Sequence, residues 1–116
     1  MKILYVEDTE ANTKAAQRMA SYLGHHLIVA TSGTDGYALA HDYPDLILMD
    51  INLPDIDGLT LTRKLRAENI TVPIVALTGD LMNYDRDQAL QAGCNDFIAK
   101  PFTLEMLRGL FSRYST

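Results

Sequence analysis

Four short apolar runs in this chain end on side chains that bear chemistry. KILYV runs into Glu7 and Asp8, LILM into Asp50, PIVAL into Thr78 and DFIA into Lys100. Three carboxylates gathered in one place repel one another, and all three stay ionised only beside a compensating cation. A hard divalent ion such as Mg²⁺, held by one or two carboxylates together with waters and phosphate oxygens, answers that need. A lysine adds a fixed positive charge and a threonine a hydroxyl donor. Such a set suits a phosphoryl group in transfer, where catalysis consists mostly of placing positive charge around developing negative oxygens. A carboxylate is itself a competent nucleophile and gives an acyl phosphate.

That chemistry requires the four segments to meet, so the elements that carry them decide the matter. The 116 residues suit one domain with a single core, and the apolar share of 47% is that of a globular chain. Strand-like runs at 2–6, 27–30, 45–49, 73–77 and 96–99 alternate with helical patterns at 10–23, 35–42, 58–68, 83–92 and 104–113. Thr9 and Thr103 stand at N-cap positions, and Gly24 and Gly93 at helix stops. Strands alternating with helices of this length indicate βαβ units and a parallel sheet. The strands read as continuous apolar runs, as strands covered on both faces do. The expected fold is α/β, a doubly wound five-stranded parallel sheet with helices on both faces. The flavodoxin-like order 2-1-3-4-5 is one common arrangement, with its switch point between strands one and three. Ligands of open parallel sheets bind beyond the carboxyl ends of the strands at that point. In this order Glu7, Asp8 and Asp50 share one edge, and Asp50 stands at the rim with a rigid strand behind it. The turn from Leu53 to Gly58 then leads the chain back through Pro54 into the third helix.

Composition narrows the rest. The formal net charge of −5 argues against a nucleic-acid-binding surface, which carries a basic patch. No run of about 18 apolar residues suggests a membrane span, and the first residues lack a signal-peptide core, so a cytoplasmic protein is expected. The single cysteine, Cys94, excludes an internal disulfide and reads as a small buried hydrophobe. His25, His26 and His41 have no cysteine or paired acid at ligand spacing and read as surface or packing residues. Met19, Met49, Met82 and Met106 read as gap-filling apolar residues. Tyr84 and Tyr114 are candidates for a partner-facing surface.

Taken singly, each chemical residue has an ordinary reading. Glu7 and Asp8 lead into a helix, Thr78 is a turn residue, Lys100 a solvated lysine and Phe97 core. Their joint placement carries the argument. "YVEDTEAN", "LILMDINLPDIDG", "PIVALTGD" and "DFIAKPF" follow in order, with 42 residues from Asp8 to Asp50, 28 from Asp50 to Thr78 and 22 from Thr78 to Lys100. In these motifs the chain resembles the receiver domains of two-component response regulators along essentially its whole length, residues 1–116. The resemblance implies that Asp50 accepts a phosphoryl group from the phosphohistidine of a histidine kinase or a histidine phosphotransfer protein. It implies Mg²⁺ held directly by Asp8 and Asp50, by Glu7 largely through water, and by the backbone carbonyl of Asn52. It implies that Lys100 pairs with Asp50 and then with the phosphoryl oxygens, that Thr78 donates its hydroxyl, and that Phe97 is the switch aromatic. The Lys100–Pro101 bond is implied to be cis, and a downstream protein target is implied to bind the face of helix four, strand five and helix five. The acidic pair is Glu-Asp where many members have Asp-Asp, and Phe97 lacks the hydroxyl of a tyrosine.

Two rival functions fit less well. An aspartyl-phosphate phosphatase needs a second acid two residues after the nucleophile, where this chain has Asn52. A flavin module of similar topology needs a phosphate-cradling loop after strand one, where "EDTEAN" is acidic. The chain stops about fifteen residues past Pro101, which leaves a stand-alone regulator, a phosphorelay intermediate and the receiver of a hybrid kinase as alternatives.

Overall fold

A computed structural model describes residues 1–115; Thr116, the last residue of the expected domain, lies outside the described residues. The strands are β1 (Lys2–Val6), β2 (His26–Ala30), β3 (Leu46–Asp50), β4 (Ile74–Thr78) and β5 (Asp96–Ala99). They alternate with helices α1 (Glu10–Tyr22), α2 (Gly33–Ala40), α3 (Gly58–Ala67), α4 (Arg86–Ala92) and α5 (Leu104–Tyr114). All neighbouring strands pair in parallel, in the order β2-β1-β3-β4-β5. This is the flavodoxin-like doubly wound arrangement, with the order reversing between β1 and β3.

The apolar runs divide by parity, because successive strand residues face opposite sides of the sheet. Leu4, Val6, Ile47, Met49, Ile74 and Ala76 point to the layer of α2, α3 and α4, where Leu61, Leu65 and Ala89 meet them. Ile3, Tyr5, Leu46, Leu48, Val75 and Leu77 point to the layer of α1 and α5, against Ala16, Ala20, Leu107 and Phe111. Each of β3 and β4 is buried at all five positions, which is why neither shows a polar alternation.

Helix starts follow side-chain caps. Ser32 accepts from Asp35 N, so α2 begins at Gly33, two residues before the expected start. Asp57 caps α3 by accepting from Leu59 N and Thr60 N. Thr103 caps α5 by accepting from Met106 N. Thr9 occupies the N-cap of α1 without a side-chain cap bond. The largest departure from expectation is α4, which begins at Arg86 rather than at residue 83. Asp85 and Gln88 form a reciprocal capping box that fixes this start. The freed segment places Tyr84 elsewhere, its hydroxyl donating to Asp57 Oδ2 at 3.0 Å. Met82 lies in the same segment at 94% exposure and fills no gap, whereas Met49 is buried as expected. Tyr114 is half-buried against the α1/α5 layer.

Candidate functional site

Backbone register assembles the site at the carboxyl edge of the sheet. Val6 pairs with Met49, so the next residues, Glu7 and Asp50, leave neighbouring strands side by side. Asp50 pairs with Leu77 and Thr78 with Ala99, which sets Thr78 and Lys100 on the other flank. Lys100 N donates to Thr78 O at 2.8 Å, tying the start of the β5–α5 loop to the end of β4. The Lys100–Pro101 bond is cis.

Glu7, Asp8 and Asp50 each offer a carboxylate oxygen within 4.8 Å of the others. Asp8 is exposed, whereas Glu7 and Asp50 are 1% and 3% exposed. The strand β3 runs through Asp50 rather than stopping before it, so the acid is buried more deeply than a rim position suggests. Burying a carboxylate is costly unless a charge or hydrogen bond offsets it. Lys100 provides that offset, with Nζ 2.5 Å from Glu7 Oε1 and 3.1 Å from Asp50 Oδ1. The lysine is thus shared, and its shorter contact is to Glu7 rather than to Asp50.

The two carboxyls titrate apart as a result. Burial pushes Asp50 up to about 6; Lys100 opposes this and the Glu7 charge adds to it. Burial also disfavours the Glu7 anion, but the hydrogen bond and charge of Lys100, with Thr9 N and the Tyr5 hydroxyl, hold it down to about 2. Burial alone lowers Lys100, yet the hydrogen bond it donates to Glu7 and the two carboxylate charges raise it above its ordinary value. At neutral pH the resting site therefore holds a charged Lys100–Glu7 pair beside an Asp50 whose anion is less well compensated.

Thr78 is fully buried, and its Oγ1 accepts from Asp80 N at 2.9 Å, leaving the hydroxyl proton free to donate elsewhere. Asn52 is exposed, and its backbone bridges to Asp57 across the turn that follows β3. Phe97 is half-buried against the α2/α3/α4 layer. Its carbonyl accepts from Arg86, whose guanidinium also pairs with Asp96; Arg113 of α5 reaches the other Asp96 oxygen at 2.7 Å. One buried carboxylate at the start of β5 therefore ties α4 to α5. The histidines stay outside the acidic group: His25 Nδ1 lies 2.9 Å from the N-terminal ammonium, and His41 packs on Tyr37 near Glu68.

Four contributors were not assigned to the site from sequence. Tyr5 and Asn12 donate to Glu7 Oε1 at 2.9 and 3.3 Å. Tyr5 lies two residues before Glu7, on the same strand face, which is the one local signal for it. Gly58 begins α3 directly under the end of β3, and a Cβ there would stand 2.2 Å from Asp50 O. Asp55 accepts from Gly33 N, Thr34 N and the Thr34 hydroxyl at 2.7–2.9 Å, lashing the β3–α3 loop to the start of α2.

A family model described as "Response regulator receiver domain" matches residues 3–111. The chain belongs to that family. As a receiver domain it is a phosphoacceptor of two-component signalling. Hybrid signal transduction histidine kinase G of Dictyostelium discoideum is 41% identical over 122 residues, a match covering 98% of this chain and 4% of that protein. Transcription factor SKN7 of Saccharomyces cerevisiae is 36% identical over 113 residues, covering 97% of this chain and 18% of that one. The receiver thus spans less than a fifth of the length of either relative. The receiver domain of the sensor histidine kinase PA1611 from Pseudomonas aeruginosa superimposes with a TM-score of 0.87 at 40% identity. That match covers 97% of this chain and 95% of the other, whose crystal structure has a magnesium ion coordinated in the active-site cleft. Among the described residues no helix is long and apolar enough to cross a membrane.

Proposed function

We propose that Asp50 is the phosphoacceptor of this receiver, that residues 1–116 form the receiver unit, and that its donor is the phosphohistidine of a histidine kinase or a histidine phosphotransfer protein. The observation that carries this is the salt-bridge arrangement itself. A nearly buried carboxylate ends a central strand, faces an ammonium group 3.1 Å away, and shares its edge with two more acids. In the transfer an Asp50 carboxylate oxygen attacks phosphorus. The O–P bond forms as the P–N bond breaks, and its electron pair returns to the imidazole nitrogen. Lys100 neutralises charge on the phosphoryl oxygens, and the Thr78 hydroxyl donates to one of them.

The donor set fits Mg²⁺: hard oxygen donors, three carboxylates within one ion's reach, with the Lys100 ammonium group beside them. Asp8, Asp50 and the Asn52 carbonyl would hold the ion, with Glu7 acting through water. When bound, the ion supplies Lewis-acid neutralisation of the phosphoryl oxygens. Phosphorylation adds nearly two negative charges and three acceptor oxygens. Thr78 and Lys100 then gain a stronger partner, Phe97 repacks, and the α4–β5–α5 face changes its affinity for a downstream protein, in a cytoplasmic setting. That face carries Phe97, Ile98 and Met106 between Arg86 and Arg113 around a groove of about 290 Å³.

The test is incubation with a labelled phosphodonor and Mg²⁺. Acid-stable, base-labile label on the wild type and none on Asp50→Asn is expected. Label retained by Asp50→Asn, or repeated turnover of external phosphate ester without retained label, refutes the reading.

A further inference from the structure

Glu7 is held from four directions. Its Oε1 accepts from Lys100 Nζ at 2.5 Å, from the Tyr5 hydroxyl at 2.9 Å and from Asn12 Nδ2 at 3.3 Å; its Oε2 accepts from Thr9 N at 3.2 Å. A carboxylate has about four lone-pair sites, so this one has little capacity left. Among the side-chain donors Tyr5 is the one with no freedom of its own. It is fully buried, wedged in the α1/α5 layer, with its ring edge-on to Phe102 at 6.1 Å between centroids. Residues i and i+2 of a strand share a face, so the phenol lies along the strand and ends at Glu7. Asn12 and Lys100 are long or half-exposed by comparison.

This arrangement has a consequence for the acids. A Glu7 oxygen lies within 4.8 Å of those of Asp8 and Asp50, close enough to join them around a cation. As held, Glu7 faces the ammonium group instead. We propose that Tyr5 is a positioning residue of the acceptor site: its hydroxyl keeps Glu7 Oε1 turned to Lys100, so that the ammonium group stays astride Glu7 and Asp50 and Glu7 stays out of direct contact with the metal. Tyr5 touches neither phosphoryl group nor cation, and it acts through Glu7. The inference rests on the acceptor reading given above.

Tyr5→Phe removes one hydroxyl and keeps the ring. With a small labelled acyl phosphate as donor, the label rate at saturating Mg²⁺ falls about tenfold in Tyr5→Phe. Mg²⁺ binding to the unphosphorylated protein, followed by calorimetry, tightens at least threefold as Glu7 swings to the ion. Both effects vanish in the Glu7→Gln background, because Tyr5 has then lost the group it orients. A purely packing role lowers the melting temperature but leaves Mg²⁺ affinity and the saturated label rate at wild-type values, and that result overturns the proposal. So do Tyr5→Phe effects that persist undiminished beside Glu7→Gln. Failure of the wild type to take label on Asp50 sinks the acceptor reading instead, which keeps the two failures apart. Were Tyr5→Phe too unstable to assay, the wild type supplies the measurement. The Tyr5 hydroxyl proton gives a slowly exchanging NMR resonance that persists at Mg²⁺ saturation, whereas its loss on adding Mg²⁺ refutes the inference.

Discussion

Gly58→Ala adds one methyl group at the point where α3 meets the acceptor strand. The new Cβ would stand 2.2 Å from Asp50 O, 2.9 Å from Ile51 Cα and 3.0 Å from the Asp50 carbonyl carbon. Non-bonded carbons prefer about 3.5–4.0 Å, so the strand end and the helix start must part by roughly 1 Å. All three neighbours are backbone, so no rotamer change relieves the overlap. Gly58 N also donates to Ile51 O at 2.8 Å, and separation breaks that bond. Overpacking of this kind costs about 1–3 kcal/mol, and the absence of a flexible neighbour places this case at the upper end. The helix-propensity gain of Ala over Gly, at most about 1 kcal/mol, offsets part of it.

A net loss of about 2 kcal/mol lowers the melting temperature of a domain this size by roughly 8 °C. The functional effect is larger, because the displaced residue is the acceptor and a 1 Å misplacement costs on the order of 10²-fold in rate. Gly109→Ala is the internal comparison. It lies exposed within α5, and a Cβ there meets nothing within 4 Å. That substitution should stabilise by about 0.5–1 kcal/mol with an unchanged label rate. Thermal unfolding and phosphodonor labelling of both variants test the argument. A Gly58→Ala protein that melts within 2 °C of wild type and labels at the wild-type rate would refute it.

Other outcomes follow from the same structure. Lys100→Ala leaves Glu7 and Asp50 as buried like charges, a loss of about 3–5 kcal/mol at pH 8. Without Lys100 to hold it down, Asp50 takes up a proton more readily in the variant, so the loss should shrink by pH 5, and equal melting shifts at both pH values would contradict the pairing. In metal-free protein the Asp50 carboxyl should titrate near 6 by carbon NMR, and saturating Mg²⁺ should move the midpoint down, since a cation favours the ionised form; an unmoved midpoint excludes Asp50 as a ligand. Asp55 is held down to about 2 by Gly33 N and by the hydroxyl and N–H of Thr34, below its unfolded value of about 3.9. Its stabilisation is therefore complete above about pH 4 and is lost as pH falls toward 2, so the melting difference between wild type and Asp55→Ala should close over that window. A difference independent of pH would show that the carboxylate bonds contribute nothing.

The β-strands were legible because a doubly covered parallel sheet leaves one plain trace, an apolar run bounded by polar residues. The site followed from the strands, since position at a strand's end, together with strand order, determines which acids meet. Leu46–Asp50 shows the limit of that trace: the carboxylate that seemed to end the strand is its last paired residue. The start of α4 carried a local signal, Asp85 with Gln88 three residues on, which places it after Tyr84 rather than at residue 83; the Tyr84 side chain turns to Asp57 instead. Tyr5 reads as core from its neighbours, and its ring is core; only the hydroxyl belongs to the site. Gly58 has no local signature, because its backbone is ordinary and the need for a missing side chain arises from β3 passing overhead.

Glu7 and Asp50 are held by the same ammonium group and titrate far apart, and the difference lies in their other partners. Glu7 has Tyr5, Asn12 and Thr9 besides Lys100, whereas Asp50, among the described residues, has Lys100 as its one ion-pair partner. Supplying Asp50 with the same donors would make the fold more stable and the acceptor less reactive, because a carboxylate already satisfied gains little from attacking phosphorus. The site instead satisfies the neighbour fully and leaves the acceptor short of positive charge. That shortage ties reactivity to a bound cation: the ion that neutralises Asp8 and Asp50 also completes the charge that Lys100 alone cannot supply. The Glu-Asp pair after β1 fits this division, since the longer glutamate reaches Lys100 while the exposed aspartate beside it stays open to metal.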